Sequence, residues 1–121
     1  MSTLPLTENV YKTYLAGATM GAYLRVKIDS AGAVVLAGAT DMTAGYLTER
    51  GATSGAHCTV RSSQAPEQIG VANAALEIGD PLFAAANGMV DDADAGSARL
   101  IGYAATTVTT QGDLVRIISA V

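Results

Sequence analysis

The chain has 121 residues, half of them hydrophobic and 15% charged, with a formal net charge of −4 and a single cysteine. This length suits one domain with one hydrophobic core. The few lysines and arginines form no basic cluster, so we expect no nucleic-acid binding. One cysteine excludes an internal disulfide, and uncharged stretches such as Leu15–Leu24 and Ala104–Gly112 are too short to cross a bilayer.

The first 21 residues are predicted to form an arm and a hinge, ahead of a β-rich domain at residues 22–121. Residues Glu8–Leu15 fit one or two helical turns with Thr7 as N-cap, and they fit equally an extended arm that orders on a partner. The Gly/Ala-rich segment Ala16–Ala22 is predicted to be the hinge. Because Met1–Glu8 has no basic region followed by an apolar run, we expect no secretory signal.

Strand periodicity begins after Ala22. Polar and apolar residues alternate along the segment, which predicts a strand with one buried face. The buried face is predicted to carry Leu24, Val26 and Ile28, and the exposed face Tyr23, Arg25, Lys27 and Asp29. A turn at Ser30–Gly32 leads into a returning strand at Val34–Ala37.

Further strands follow at short, regular intervals. They are predicted at Gly45–Glu49, His57–Ser63 and Gln68–Ala72, with loops or Gly-containing turns between them. Residues Ala74–Ile78 are predicted to be a connection.

The second half of the chain carries the strongest turn signals. Gly79-Asp80-Pro81 opens a strand at Leu82–Ala86, and Asn87-Gly88 predicts a two-residue hairpin turn into a strand at Met89–Val90. An acidic loop is predicted at Asp91–Gly96.

The last two predicted strands are Leu100–Ala104 and Leu114–Ala120. Gly102 inside the first of them predicts a bulge or a close backbone approach. The turn Gln111–Asp113 and the earlier Gly79-Asp80 share a Gly-Asp pair before an apolar strand, but two copies do not establish a repeat. Short strands at this spacing predict an all-β fold, either a compact β-sandwich or a partly open β-barrel.

The sequence contains few candidates for chemistry. His57 and Cys58 are adjacent on a predicted strand and therefore point to opposite faces, so we expect Cys58 to be buried and His57 to face solvent. Asp91, Asp92 and Asp94 fit a solvated acidic turn better than a cation site, because they lack the ligand spacing of a calcium loop. No phosphate-binding glycine motif is present. We therefore expect no enzyme activity, no metal and no cofactor.

Tyrosines are the most informative side chains that remain. We expect them at the rim of the core with solvated hydroxyls, and the alternative is a role as anchors at a subunit interface. They are Tyr11, Tyr14, Tyr23, Tyr46 and Tyr103.

Several short motifs occur in a characteristic order. They lie in Leu24–Ala37, Ala44–Glu49, Ile78–Val90, Leu100–Ala104 and Gly112–Ile118. A Gly-Asp-Pro turn, an Asn-Gly hairpin, an Ile-Gly-x-Ala strand and a last strand opened by Gly-Asp resemble the decoration, or cement, proteins of tailed-bacteriophage heads. The resemblance covers residues 22–121.

The resemblance implies a structural virion protein that binds the outside of an icosahedral capsid and stabilises it. The implied partners are the major capsid protein and further copies of the chain, with a trimer favoured. The implied location is the outer capsid surface, after synthesis in the host cytoplasm. We hypothesise that the arm contacts the capsid or a neighbouring subunit through Leu4, Leu6, Val10, Tyr11 and Tyr14.

Two other functions remain open at this point. One is a non-catalytic β-sandwich module that recognises a surface or a carbohydrate. The other is a small enzyme or enzyme subunit, which needs a catalytic site that the sequence does not reveal.

Overall fold

A computed structural model describes residues 10–94 and 99–120, which form ten β-strands and one short 3₁₀ turn. The all-β prediction is confirmed. The first five strands are β1 (Tyr11–Leu15), β2 (Arg25–Ile28), β3 (Val34–Leu36), β4 (Gly45–Leu47) and β5 (His57–Ser62). The other five are β6 (Glu67–Val71), β7 (Pro81–Ala84), β8 (Val90–Asp91), β9 (Leu100–Ala104) and β10 (Leu114–Ser119).

The strands form two five-stranded antiparallel sheets, one from each half of the chain. The first has the order β1-β5-β4-β2-β3 and the second the order β6-β10-β9-β7-β8. In the first sheet, a parallel bridge between Ala16 and Val34 links the ends of the outer strands β1 and β3. The bridge between Ala72 and Val90 does the same in the second. Each sheet therefore curls around its own interior.

The two sheets are copies of one topology. Equivalent strands start 56 residues apart in the first three pairs, as Tyr11 and Glu67 show, and 57 apart in the last, as His57 and Leu114 show. The isolated bridges follow the same spacing: Met20 pairs with Ala52, and Leu76 pairs with Val108. The molecule is an internal duplication, which the two Gly-Asp turns alone did not establish.

Each half has its own hydrophobic core, so the expectation of a single core is wrong. The cores match position by position. The equivalent pairs are Ala16 and Ala72, Met20 and Leu76, Val26 and Leu82, Val34 and Val90, Leu47 and Ala104, Ala52 and Val108, Cys58 and Val115, and Val60 and Ile117. The second core contains one further buried residue, Tyr46, which comes from the first half.

The predicted turns and close approaches occur. Asn87 and Gly88 both have positive φ (60° and 75°), and Met89 N donates to Ala86 O at 3.3 Å, as in a primed hairpin turn. A Cβ on Gly102 would collide with the carbonyl of Ile118, so the predicted close backbone approach is confirmed. The pairing of β7 with β9 is also irregular beside it, between Leu82 and Phe83.

The predicted strands are all present, with ends that shift by a few residues. The residues Tyr11–Leu15 are extended rather than helical, and they pair with β5 along their whole length. Within the predicted hinge, Ala16 and Met20 are buried in the first core. The division between an arm and a domain after residue 21 stays a prediction.

Strand β2 departs from its predicted two-faced pattern. Arg25 was expected on the exposed face and is fully buried, whereas Ile28 was expected in the core and is 47% exposed. The reason is tertiary: the face that carries Arg25 packs against the second half of the molecule, and Ile28 lies at the end of the strand.

Candidate functional site

The two halves meet on one face of the first sheet. Strand register places four side chains in a row across this face, because directly opposed residues of antiparallel strands point the same way. From β1 to β2 they are Tyr11, Arg61, Tyr46 and Arg25. The second half covers the Tyr46 and Arg25 end of the row, and the Tyr11 and Arg61 end lines an open groove.

Arg25 joins the two halves through backbone carbonyls. Its Nη2 donates to Ala85 O at 2.6 Å and its Nε donates to Met89 O at 2.9 Å, so it holds both sides of the β7–β8 hairpin. On its own side, Nη1 donates to Thr43 Oγ1 at 2.8 Å. Among the described residues no carboxylate forms an ion pair with it. The direct hydrogen-bond partners of the guanidinium are therefore uncharged oxygens.

Burial lowers the pKa of Arg25, while the nearby Tyr46 and Asp41 act in the opposite direction. Because an arginine starts from a pKa far above neutrality, the guanidinium stays protonated at pH 7. The hairpin adds a contact of its own, since Gly88 N donates to Ala37 O at 2.9 Å. The backbone of Gly88 lies so close to Arg25 that a Cβ there would come within 2.8 Å of Arg25 O. The junction is thus a tight, polar clamp.

Tyr46 crosses from the first half into the core of the second. Its ring lies beside Gly70, where a Cβ would be 3.6 Å from Tyr46 Cε2 and 2.9 Å from Ile117 Cδ1. The Tyr46 hydroxyl is buried and has no hydrogen-bond partner among the described residues. Burial strongly raises its pKa, and the Arg25 charge opposes this. The expectation of a solvated hydroxyl is therefore wrong for Tyr46, because the second half seals the site.

The groove beside this junction has a volume of about 620 Å³. Residues from both halves line it, including Tyr11, Tyr23, Arg50, Arg61, Glu67 and Arg116. Arg61 lies over the Tyr11 ring, 5.3 Å from its centroid, and donates to its hydroxyl at 3.0 Å. The Nε of Arg61 donates to Glu67 O at 3.0 Å, and the Glu67 carboxylate pairs with Arg116 Nη2 at 2.6 Å.

This groove is a polar surface with aromatic walls and holds no catalytic arrangement that we recognise among its described residues. Its ion pair is solvent-exposed, so it contributes little to stability. A groove of this kind is suited to contacting another macromolecule, because Tyr and Arg are enriched where protein surfaces meet.

The predicted contact residues of the arm are only partly described. Leu4 and Leu6 lie outside the described residues. Val10 is half-buried and its carbonyl accepts from Ser62 N at 2.6 Å; Tyr14 is half-buried against the first core. Tyr11 is the one of the three described residues that exposes a large side chain, and it lines the groove.

The other candidates behave mostly as expected. Cys58 is buried, which raises the pKa of its thiol, and His57 is exposed. Asp91 lies at the end of β8 rather than in the predicted loop, and its Oδ2 accepts from Asn73 Nδ2 at 2.9 Å. Asp92 and Asp94 are exposed, and Ala95 and Gly96 lie outside the described residues. The described part of the chain contains no group of three or more potential metal ligands and no helix able to span a membrane.

Comparison with solved structures finds an informative similarity. No protein-family model matches the chain, and no curated protein matches it. Its fold is similar to that of the N base of head fiber gp8.5 of bacteriophage phi29, with a TM-score of 0.73. The similarity covers 92% of this chain and 93% of the phage chain, at 19% sequence identity. The two proteins therefore share nearly the whole of this fold.

Sequence reasoning missed the junction, namely Arg25, Tyr46 and the space at Gly70. One signal was available. Gly45-Tyr46 in β4 and Gly102-Tyr103 in β9 are the same dipeptide 57 positions apart, and both glycines lie against a carbonyl of the neighbouring strand. Aligning the halves on this pair would have revealed the duplication.

Proposed function

We propose that this protein is a structural component of a tailed-phage head that binds the outer surface of the icosahedral capsid and stabilises the shell. Its partners would be the major capsid protein and further copies of itself, with a trimer favoured, and it would need no cofactor and catalyse no reaction. It would reach the capsid surface after synthesis in the host cytoplasm. The observation that carries the proposal is the similarity of nearly the whole fold to a phage head fiber base.

The order of the turn motifs along residues 22–121 supports the same function independently, because it resembles the head decoration proteins. The physical properties also suit it. A capsid presents many identical sites. If the protein binds the assembled shell and not the dissociated capsid subunits, a modest affinity for each site adds up to a large stabilisation of the shell. A surface with few charges and many small side chains loses little side-chain entropy when it packs against a neighbour.

We propose that the residues up to Tyr14 contribute to capsid or subunit contacts. In the described part of this segment, Tyr11 is exposed at the mouth of the groove, and β1 is paired with β5 along one of its edges. An outer strand of this kind can add backbone hydrogen bonds to an extended segment of a partner. Leu4, Leu6 and Val10, which precede this strand in the sequence, would add apolar contacts.

The test is binding to purified, expanded heads that lack decoration. Protein and heads are mixed and sedimented, and the bound copies per head are counted over a range of concentrations. Saturable binding, together with greater resistance of the heads to heat or chelator, is expected. Absence of binding would contradict the proposal, and a hit on a glycan array would then favour the carbohydrate-binding alternative.

To measure what the arm contributes to head binding, the deletion must leave the first core intact. Deleting residues 1–19 would remove β1 and the buried residue Ala16, and would damage the first core. Deletion of residues 1–9 leaves β1 in place and removes Leu4 and Leu6. Tyr11→Ala tests the exposed ring, and Lys12→Ala, on the opposite side of the same strand, is its control. We expect weaker head binding for the deletion and for Tyr11→Ala, and unchanged binding for Lys12→Ala.

A further inference from the structure

The outer face of the second sheet repeats the face on which the two halves meet. Strand register places four side chains in a row across it, from β6 to β7: Glu67, Ile118, Tyr103 and Pro81. They are the equivalents of the first-sheet row Tyr11, Arg61, Tyr46 and Arg25. Because of the duplication, the same sheet face can be compared in the first half and in the second half of the molecule.

The two faces differ in what covers them. In the first sheet, Tyr46 is 2% exposed because the second half packs on it. In the second sheet, the equivalent Tyr103 is 44% exposed and its neighbour Ile118 is 46% exposed. Ile69 and Leu114 are exposed on the flanking positions of the same face. Large exposed apolar side chains grouped on one face are typical of a protein-binding surface.

The charged residues on this face do not repel the same face of a second copy. In the strand register Glu67 lies opposite Ile118 and Arg116 opposite Ile69, and these two charged side chains form an ion pair at 2.6 Å. The face thus presents apolar residues and a neutral pair, so two copies can approach it without repulsion between like charges. The first half of the molecule shows that this type of face is buried by another unit of the same fold.

The internal contact cannot simply be repeated from chain to chain. Tyr46 needs the space at Gly70, but the equivalent position in the first half is Tyr14, whose side chain packs on its own core. The clamp needs the guanidinium of Arg25, but the equivalent position in the second half is Pro81. A head-to-tail chain of molecules, which would grow into a filament, is therefore disfavoured.

We infer that the outer face of the second sheet, centred on Tyr103 and Ile118, is the contact between copies of this chain in a closed, symmetric oligomer. The same face of each copy lies towards the rotation axis. This inference rests on the proposed function, in which the protein acts as a homo-oligomer, and adds the surface where the copies meet.

The test compares Ile118→Glu and Tyr103→Glu with a matched control. Ile28→Glu places the same charge on a strand isoleucine of the first half with nearly the same exposure, 47% against 46%. Sedimentation velocity measures the oligomer and thermal unfolding verifies the fold. We expect an oligomeric wild type, at least tenfold weaker self-association of Ile118→Glu and Tyr103→Glu, and no change for Ile28→Glu.

A second measurement does not depend on a destabilising charge. Ile118→Cys and Ile28→Cys are treated with a short bis-maleimide, while Cys58 is protected by burial. Because each variant chain has one accessible thiol, and each thiol bonds to one end of the reagent, we expect covalent dimers from Ile118→Cys and none from Ile28→Cys. A monomeric wild type at the highest soluble concentration, or an Ile118→Glu oligomer as stable as wild type, would overturn the inference.

A head-binding measurement distinguishes failure of this inference from failure of the proposed function. A wild type that self-associates through Ile118 but does not bind heads supports the inference and contradicts the function. A monomeric wild type that binds heads, and loses that binding in Ile118→Glu, overturns the inference, because the face then contacts the capsid.

Discussion

Tyr46 and Tyr103 occupy equivalent positions in the two halves of the chain, yet Tyr46 is 2% exposed and Tyr103 is 44% exposed. The difference arises from their surroundings, since both follow a glycine that lies against a neighbouring carbonyl. The second half packs on the sheet face that carries Tyr46, whereas the equivalent face of the second sheet, which carries Tyr103, is exposed.

The first prediction concerns the Tyr46 hydroxyl. Because this group is buried and has no hydrogen-bond partner in the part of the chain that the structure describes, Tyr46→Phe removes a desolvation cost and should stabilise the protein by about 1 kcal/mol. Tyr103→Phe is the matched control and should leave the free energy of unfolding unchanged, since its hydroxyl is on an exposed side chain. Urea unfolding measures both. A loss of stability in Tyr46→Phe would show that the hydroxyl has a partner.

The second prediction concerns Arg25. Removing the guanidinium leaves the carbonyls of Ala85 and Met89 without their donor and opens a cavity in the clamp. Arg25→Ala should therefore lower the free energy of unfolding by about 3 kcal/mol or more. Arg25→Met, which restores volume, should recover part of this loss. Arg50→Ala removes an exposed arginine of the groove and should change stability by less than about 0.5 kcal/mol.

The local elements of the fold could be predicted from the sequence, but the junction at Arg25 could not. Strands and turns were predictable because alternation, Asn87-Gly88 and the Gly-Asp turns act locally. The burial of Arg25 was not predictable, because its partner Met89 is 64 residues away in the sequence. The alternation of polar and apolar residues in the strand also predicts that Arg25 lies on an exposed face. The duplication was hidden because most equivalent core positions are apolar in both halves without being identical, as Met20 and Leu76 or Cys58 and Val115 show.

The candidate surface was predictable to a similar extent. The sequence indicated that Tyr11 would be available for contacts, and it is exposed in the groove. It gave no means to separate Tyr46 from Tyr103, because both precede an apolar or small strand residue and both follow glycine. Only the packing of one half on the other distinguishes a junction residue from a surface residue.

The third prediction concerns the space at Gly70. A methyl group there would press on Ile117 Cδ1 at 2.9 Å and contact the Tyr46 ring at 3.6 Å. Gly70→Ala should therefore destabilise the protein by about 1–3 kcal/mol through overpacking. The control is Gly21→Ala, where a Cβ meets only Leu24 Cδ1, at an ordinary 3.6 Å. If the cause is crowding at Tyr46, the double variant Gly70→Ala, Tyr46→Leu should lose less than the sum of the single changes.

The fourth prediction concerns the pH dependence of stability near the junction. The pKa of Asp41 lies below its ordinary value because Gly38 N donates to its carboxylate at 2.8 Å and Lys27 Nζ lies 3.1 Å away. Its ionised form favours the folded state, so its contribution is present above the unfolded pKa of about 3.9 and is lost as pH falls through the folded pKa. Asp41→Asn should therefore lower the unfolding midpoint at pH 7 and flatten its decline in acid. Glu49→Gln, an exposed change in the groove, is the control. An Asp41→Asn profile parallel to that of wild type down to pH about 3 would contradict the prediction.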